Sequence, residues 1–356
     1  MNKNLYLDMH ILQTVPPSCV NRDDTGSPKT ATYGGVTRAR VSSQSWKRAM
    51  RLMFEDLFKT DDVGQRTKRV VDQVARYIDE LGEYKDSTKL ASKALENAGI
   101  KVNKESKTDA LLFFSKAQAK ELAKLIVAGE EDKQLYKNAL KNIPSIDMAL
   151  FGRMVASDQS LNYDAAAQVA HSISVHEVHN EYDYFTAVDD CAPEDNAGAG
   201  HLGTVEFNSS TLYRYATVNI TELAQMLGDK TPEAILGFVK AFILSMPTGK
   251  QNTFANRTVP DFAYITLRND QPVNLVGAFE KPVRANGDGY VINSLRALEK
   301  YADKVYNSFV SKPEKAFCVS VLDDTQTLAQ SISMNELITQ VGEQISEICT
   351  AEEGNV

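Results

Sequence analysis

Four cysteines in 356 residues (Cys19, Cys191, Cys318 and Cys349), none in a C-x-x-C pair, exclude a disulfide framework and a cysteine-rich zinc module. Histidine is scarce as well, with five in the chain. Only His171, His176 and His179, with Glu177, lie close enough in sequence to suggest a metal or acid–base centre. The run His176-Glu177-Val178-His179 is one residue short of H-E-x-x-H, which works by placing both histidines on one helical face. At i, i+3 in an extended stretch the side chains point apart, so ordinary packing histidines and no bound metal are expected. There is no G-x-S-x-G elbow, and Thr248-Gly249-Lys250 lacks the upstream glycine of a phosphate loop. No cofactor is expected. Long apolar runs are missing too, since Ala234 to Met246 contains Lys240 and is too short to span a bilayer. Met1 to Leu12 alternates and carries Asp8, unlike a signal peptide. A soluble, cytoplasmic protein of about two domains, at about 150 residues each, is expected, with no membrane partner.

The last absence is an excess of positive charge. The net charge is -8 and the pI near 5.3, which as an average argues against a generic nucleic-acid binder. The distribution says otherwise. Residues 144–215 carry -9 and 316–356 carry -7, while 1–58 carry +3. Val36 to Arg51 holds Arg38, Arg40, Lys47, Arg48 and Arg51 with no acid at all.

Leu5, Leu7, Met9 and Ile11 alternate with polar residues as in a half-buried strand. A loop rich in Pro, Gly and Asp spans Pro16 to Gly35, and Ser42 or Ser43 then caps a helix whose buried stripe is Trp46, Met50, Met53, Phe54 and Leu57. Residues 59–143 read as a lysine-rich helical insertion. Beyond it, Ile146, Met148 and Leu150 alternate as in a strand, and a short helix is expected around Ala165 to Ile173. Extended runs at His176–Asp190 and Thr204–Ile220 flank a loop, which predicts a protruding hairpin. An apolar helix face follows at Ile235 to Met246. Further strands are expected at Phe262–Leu267 and Ala316–Leu322, with helices at Ser294–Phe309 and Asn335–Ile348. This order suits a split βαβ, ferredoxin-like sheet.

The strongest chemical signal is Ser18 to Arg51. Arg22 and Lys29 lie on its loop, Arg38 and Arg40 on the next strand, and Ser42, Ser43, Gln44, Lys47 and Arg48 at the helix start, with Arg51 beyond. Free N–H groups at a helix N-terminus and nearby cations favour phosphate, and a solvated basic face is the competing reading. Asp23 and Asp24 are candidate carboxylates for catalysis, although aspartates at such positions more often bond a local turn.

Several segments resemble a known family. They are Pro17 to Asp24, Tyr33-Gly34-Gly35, Arg38 to Arg51, Phe151-Gly152-Arg153-Met154, Tyr184 to Asp190, His201-Leu202-Gly203-Thr204, Tyr213 to Ala216 and Ala278 to Lys281. In order and over nearly the whole chain they are similar to the backbone subunit of type I-E CRISPR Cascade, the CasC family. The resemblance implies an α+β molecule with an RRM-like (ferredoxin-like) palm, a helical fingers insertion and a β-hairpin thumb. On that plan 1–58, 144–175 and 219–356 form the palm, 59–143 the fingers and 176–218 the thumb. Expected partners are a CRISPR RNA, target DNA through that guide, further copies of the chain (typically six) and other Cascade subunits. By the same resemblance Arg22, Lys29, Arg40, Ser42, Gln44, Lys47 and Arg48 grip the guide backbone, and Arg153 and Met154 line the same groove. Phe185, Thr186, Val188 and Leu202 would be the thumb wedge that displaces every sixth nucleotide. The role is expected to be non-catalytic. The alternative is RNA cleavage by a loop aspartate, Asp23 or Asp24, as in related type III subunits.

Overall fold

The computed structural model describes residues 4–155, 158–187, 190–191, 201–287, 289–322 and 327–353. The chain opens with β1 (Tyr6–Ser18), β2 (Thr30–Tyr33), β3 (Val36–Val41) and α1 (Ser43–Leu57). Then come β4 (Gln65–Thr67), α2 (Val70–Leu81), α3 (Ser87–Asn97), β5 (Leu112–Phe114), α4 (Lys116–Val127), α5 (Lys133–Lys141) and α6 (Ile146–Phe151). Short strands β6 (Ala167–Val169) and β7 (Ser172–Ser174) precede β8 (Glu181–Ala187), β9 (His201–Asn219), α7 (Ile220–Leu227), α8 (Thr231–Leu244) and α9 (Gln251–Phe254). The chain ends with β10 (Phe262–Arg268), α10 (Val291–Ser308), β11 (Lys315–Ser320) and α11 (Met334–Glu353). No helix among the described residues is long and apolar enough to cross a membrane.

Two compact units divide this α+β chain. The first comprises Met1–Met50, Val169–Thr217 and Val239–Val341. Its sheet runs β11-β10-β1-β9-β7-β3-β2, with β8 paired to β9. The β1/β10, β10/β11, β3/β7 and β7/β9 ladders are antiparallel, with Met9 opposite Ile265 and Ile173 opposite Tyr213. Residues Leu12, Tyr213, Tyr264, Leu295 and Leu298 pack α10 against the sheet in one apolar cluster.

β1 is buried on both faces for most of its length, and it carries two ionisable side chains into the core. His10 Nδ1 lies 2.8 Å from the Tyr213 hydroxyl. Asp8 accepts from the Tyr215 hydroxyl at 3.0 Å and from Val273 N at 2.8 Å. Burial lowers the His10 pKa to about 3 and raises that of Asp8 to about 6. The signs of their effects oppose one another. Unfolded His10 binds the extra proton between about pH 3 and 6.5, so its contribution strengthens folding as pH rises there. Folded Asp8 binds the extra proton between about 3.8 and 6, so its contribution weakens folding as pH rises through that window. Asp8→Asn is therefore expected to steepen the rise of unfolding free energy from about pH 4 to 6. Urea titrations at three pH values check this, and parallel curves for the two proteins would contradict it.

The second unit comprises Arg51–Gln168, Val218–Phe238 and Gly342–Val356, a wider span than the 59–143 insertion. Helices α2 to α5 bury Val70, Val74, Ile78, Leu95, Leu122 and Tyr136 together. Ser115 and Gln118 close a reciprocal capping box on α4. Several lysines stand outward in ion pairs, including Lys116 and Lys120 with Asp61.

Three local expectations are corrected. The supposed strand at Ile146–Leu150 is helix α6, in which Gly152 N donates to Met148 O at 2.9 Å. All six of its residues are buried, so no polar face marks its helical period. The supposed helix near Ala165–Ile173 is β6 and β7, because Ile173 pairs between Arg40 and Tyr213 and pairing overrides the helix propensity of an alanine run. The loop expected over 16–35 is shorter, since β1 continues to Ser18 and β2 pairs with β3.

Candidate nucleic-acid interface

In the first unit, residues 19–29 form a tight loop. The Asp23 carboxylate accepts from Thr25 N at 2.9 Å, Thr25 Oγ1 at 2.7 Å and Ser27 N at 3.0 Å. These bonds, that of the Thr25 side chain foremost, hold its pKa below the usual range. Asp23 is thus a turn residue, while Asp24 beside it is exposed. Lys29 N donates to Asn21 O at 2.8 Å, and Arg40 N to Lys29 O at 2.8 Å. Asn21 Oδ1 accepts from Ser42 N at 2.9 Å, which ties the loop to the start of α1. Asn21 is a positioning residue that the sequence reading passed over, although an Asn after a strand end is a turn signal.

This framework fixes the cations. Arg22 and Arg48 are exposed, and Lys29, Arg40 and Lys47 are half-buried. Gln44 is exposed one turn before Arg48, so the two share a helix face. Arg40 Nε donates to Thr30 O at 3.1 Å, and its Nη1 lies 3.2 Å from His171 Nδ1. Burial lowers the His171 pKa, with Arg40 and Lys29 adding to the effect, so the ring suits an acceptor role beside two cations. A small crevice opens between Asn21, Lys29, Arg40, Asn208 and Ser210. None of the salt bridges among the described residues uses Arg22, Lys29, Arg40 or Arg48. Ser42 is nearly buried, and its Oγ caps α1 by accepting from Ser45 N at 3.3 Å.

Three arginines of the expected set are structural. Arg38 is fully buried and donates to the carbonyls of Tyr33, Ser174, Phe279 and Glu280. In the second unit Arg153 is buried and donates to Leu161 O at 2.7 Å and Leu140 O at 2.9 Å, its pKa pushed down to about 10 by burial. Arg51 pairs with the buried Asp147 at 2.9 Å and donates to Gly64 O at 3.2 Å. The Arg38 and Arg153 guanidinium donors are occupied by protein acceptors, which removes these two from the expected phosphate-binding set, while Arg51 spends its Nε and Nη2 on Asp147 and Gly64 and is partly exposed. Met154, beside Arg153, is 81% exposed.

The β8/β9 ribbon carries the other candidates, with Phe185 opposite Gly203 and Thr186 opposite Leu202. Directly opposed residues share a face and successive residues alternate. Phe185 therefore lies on one face, while Thr186 and Leu202 lie on the other with Tyr182 and Tyr184. The pleat splits the expected wedge, and the two tyrosines were missed although their i, i+2 spacing marks one face. Val188 lies outside the described residues. A Cβ on Gly203 would stand 2.4 Å from the Phe185 ring, so the absence of a side chain lets the ring lie across the strand. Gly203→Ala is expected to push the ring aside at a stability cost below about 1 kcal/mol, because the ring is half exposed. The upfield ring-current shift of the residue 203 Hα should disappear, and its persistence would contradict the contact.

The other histidine candidates do not converge. His176 stacks on Tyr290 with ring centroids 3.7 Å apart and accepts from Thr211 N at 3.1 Å. His179 is exposed, 3.7 Å from Glu177. Among the described residues no three His, Cys, Asp or Glu side chains group to hold a metal.

The family model described as CT1975-like protein matches residues 7–345. The chain belongs to this family. A chain of a CRISPR RNA-guided surveillance complex in a pre-nicking state is 33% identical to it, with a TM-score of 0.78 over 96% of this chain and 100% of that one. A chain of another CRISPR RNA-guided surveillance complex is 30% identical, with a TM-score of 0.65 over 95% and 99%. No curated protein matches significantly. Membership agrees with the resemblance to Cascade backbone subunits, and the I-E subtype is a narrower statement than either likeness carries.

Proposed function

We propose that the chain is a non-catalytic, guide-holding backbone subunit of a type I-E Cascade complex, acting in the cytoplasm. The observation that carries this reading is the full-length likeness, at 33% identity, to a chain of a CRISPR RNA-guided surveillance complex. The sheet of the first unit is the RRM-like palm, residues 59–143 are the fingers and the β8/β9 ribbon is the thumb. Copies of the chain, typically six, associate head-to-tail along the spacer. A heterologous contact of that kind gives an open helix and not a closed ring, which suits a linear guide.

The chemistry follows from the cations and the ribbon. Arg22, Lys29, Arg40, Lys47 and Arg48, with Gln44, hold phosphates and sugars, which fixes position without reading sequence. Sequence is then read by pairing of the guide with target DNA. Exposed Phe185 and Leu202 lie on opposite faces of a thin ribbon and unstack one base as a wedge. Because residues 144–215 carry -9, the ribbon acts by apolar contact and not by neutralising phosphate.

Co-expression with a CRISPR RNA and partner subunits tests the reading. A complex with several copies of the chain and a protected guide is expected, and a monomer that leaves the RNA unprotected would overturn it. Metal-dependent cuts in target RNA at regular spacing, lost in Asp24→Ala, would overturn the non-catalytic part.

A further inference from the structure

The segment between α8 and β10 contains Thr248-Gly249-Lys250, which has no place in the interface described so far. Gly249 sits against the start of the 19–29 loop. A Cβ on it would stand 2.0 Å from Val20 O and 2.8 Å from Cys19 O, so only glycine permits the approach. Lys250 takes a left-handed backbone, with φ at 50°. That conformation is strained for a non-glycine residue, and such residues cluster at binding sites.

The segment is fastened elsewhere too. Gln13 Nε2 donates to Thr258 O at 3.0 Å, and Thr258 Oγ1 to Thr14 O at 2.7 Å. Phe254 packs against Phe207 of β9 with ring centroids 5.7 Å apart. From Pro247 to Pro260 there are two cations, Lys250 and Arg257, and no acidic side chain. The Cys19 thiol is buried, and after that burial the charges that act on it are those of Arg22 and Lys250, against the opposing charges of Glu206 and Asp23. Arg22 follows Val20 by two positions and Lys250 follows Gly249 directly, so the approach of Gly249 to Val20 brings two cations from segments far apart in sequence to the same part of the loop.

We propose that Lys250, set in place by Gly249, is a further phosphate contact for the single-stranded RNA held by Arg22, Lys29 and Arg48. Lysine suits a phosphate as a compact charge with three donors, and Gln251 and Asn252 beside it add neutral donors of the kind that contact sugar and phosphate. The inference rests on the guide-holding reading.

The test uses the assembled complex and its CRISPR RNA, with RNA affinity measured against salt concentration. Lys250→Asn removes the charge while keeping a residue that tolerates the left-handed backbone. The salt slope should fall by about 0.7 per copy contacting the RNA, as it should for Arg22→Ala. An unchanged slope in Lys250→Asn, with the loss present in Arg22→Ala, overturns this inference and leaves the guide-holding reading intact. An unchanged slope in both overturns both. Reduced assembly with an unchanged slope places Lys250 at a protein contact and also overturns the inference.

Discussion

Arg38→Ala is expected to cost on the order of 4 kcal/mol of stability. The midpoint of thermal unfolding should fall by about 10 °C. The residue belongs by sequence to a basic run that reads as phosphate-binding, yet its side chain is fully buried. Nε donates to Tyr33 O at 3.1 Å, Nη1 to Ser174 O at 3.0 Å, and Nη2 to Phe279 O at 2.9 Å and Glu280 O at 3.3 Å. Gly34 makes room for this junction, since a Cβ there would overlap the Glu280 carbonyl and touch the guanidinium. One side chain thereby joins the β2–β3 turn, β7 and the turn at residues 279–280. Truncation leaves those carbonyls without their donor, and the cost of an unsatisfied buried group exceeds the net gain of making the bond. Calorimetry on the purified variant measures the loss. An unchanged midpoint with a weakened salt dependence of RNA binding would return Arg38 to the phosphate-binding set.

The opposite result is expected for Arg22→Ala, Lys29→Ala and Arg48→Ala combined. These side chains are exposed or half-buried and join no salt bridge among the described residues, so stability should change little. If each neutralises one phosphate, the slope of log affinity against log salt falls by about 2 for each copy on the RNA. The weakening should be similar for guides of different sequence, because phosphate contacts carry no sequence information. Binding isotherms at several salt concentrations give the slope. A slope equal to that of the parent protein would remove these residues from the interface.

The contrast between the two variants marks the limit of the sequence. The strand at Leu7, Met9 and Ile11 and the apolar face of α8 were legible from their periodicity, but the expectation that β1 is half-buried is corrected, since Asp8 and His10 on its other face are buried as well. The ribbon was legible from two extended runs around a loop. Helix α6 was not, because a short element buried all round has no polar face, and its one acid, Asp147, is turned inward to meet Arg51. Arg22 and Arg38 look alike in sequence. What separates them is a ring of carbonyls from β2, β7 and residues 279–280, brought together only by the sheet. The four wedge candidates were named from likeness, whereas the division of the three described ones, Phe185, Thr186 and Leu202, between two faces follows from the register of β8 on β9. Lys250 was weighed only as part of a phosphate loop, because the residue that its neighbour Gly249 meets in space, Val20, is 229 positions from that glycine in sequence.

Nucleotide-resolution chemical probing of the CRISPR RNA in the assembled complex tests the central claim most directly. Backbone gripping with ribbon wedging predicts protected phosphates along the spacer and single reactive bases at regular intervals. Phe185→Ala with Leu202→Ala should erase the intervals while leaving the phosphates protected. Uniform reactivity along the spacer in the parent complex, or intervals that survive the double substitution, would contradict the account.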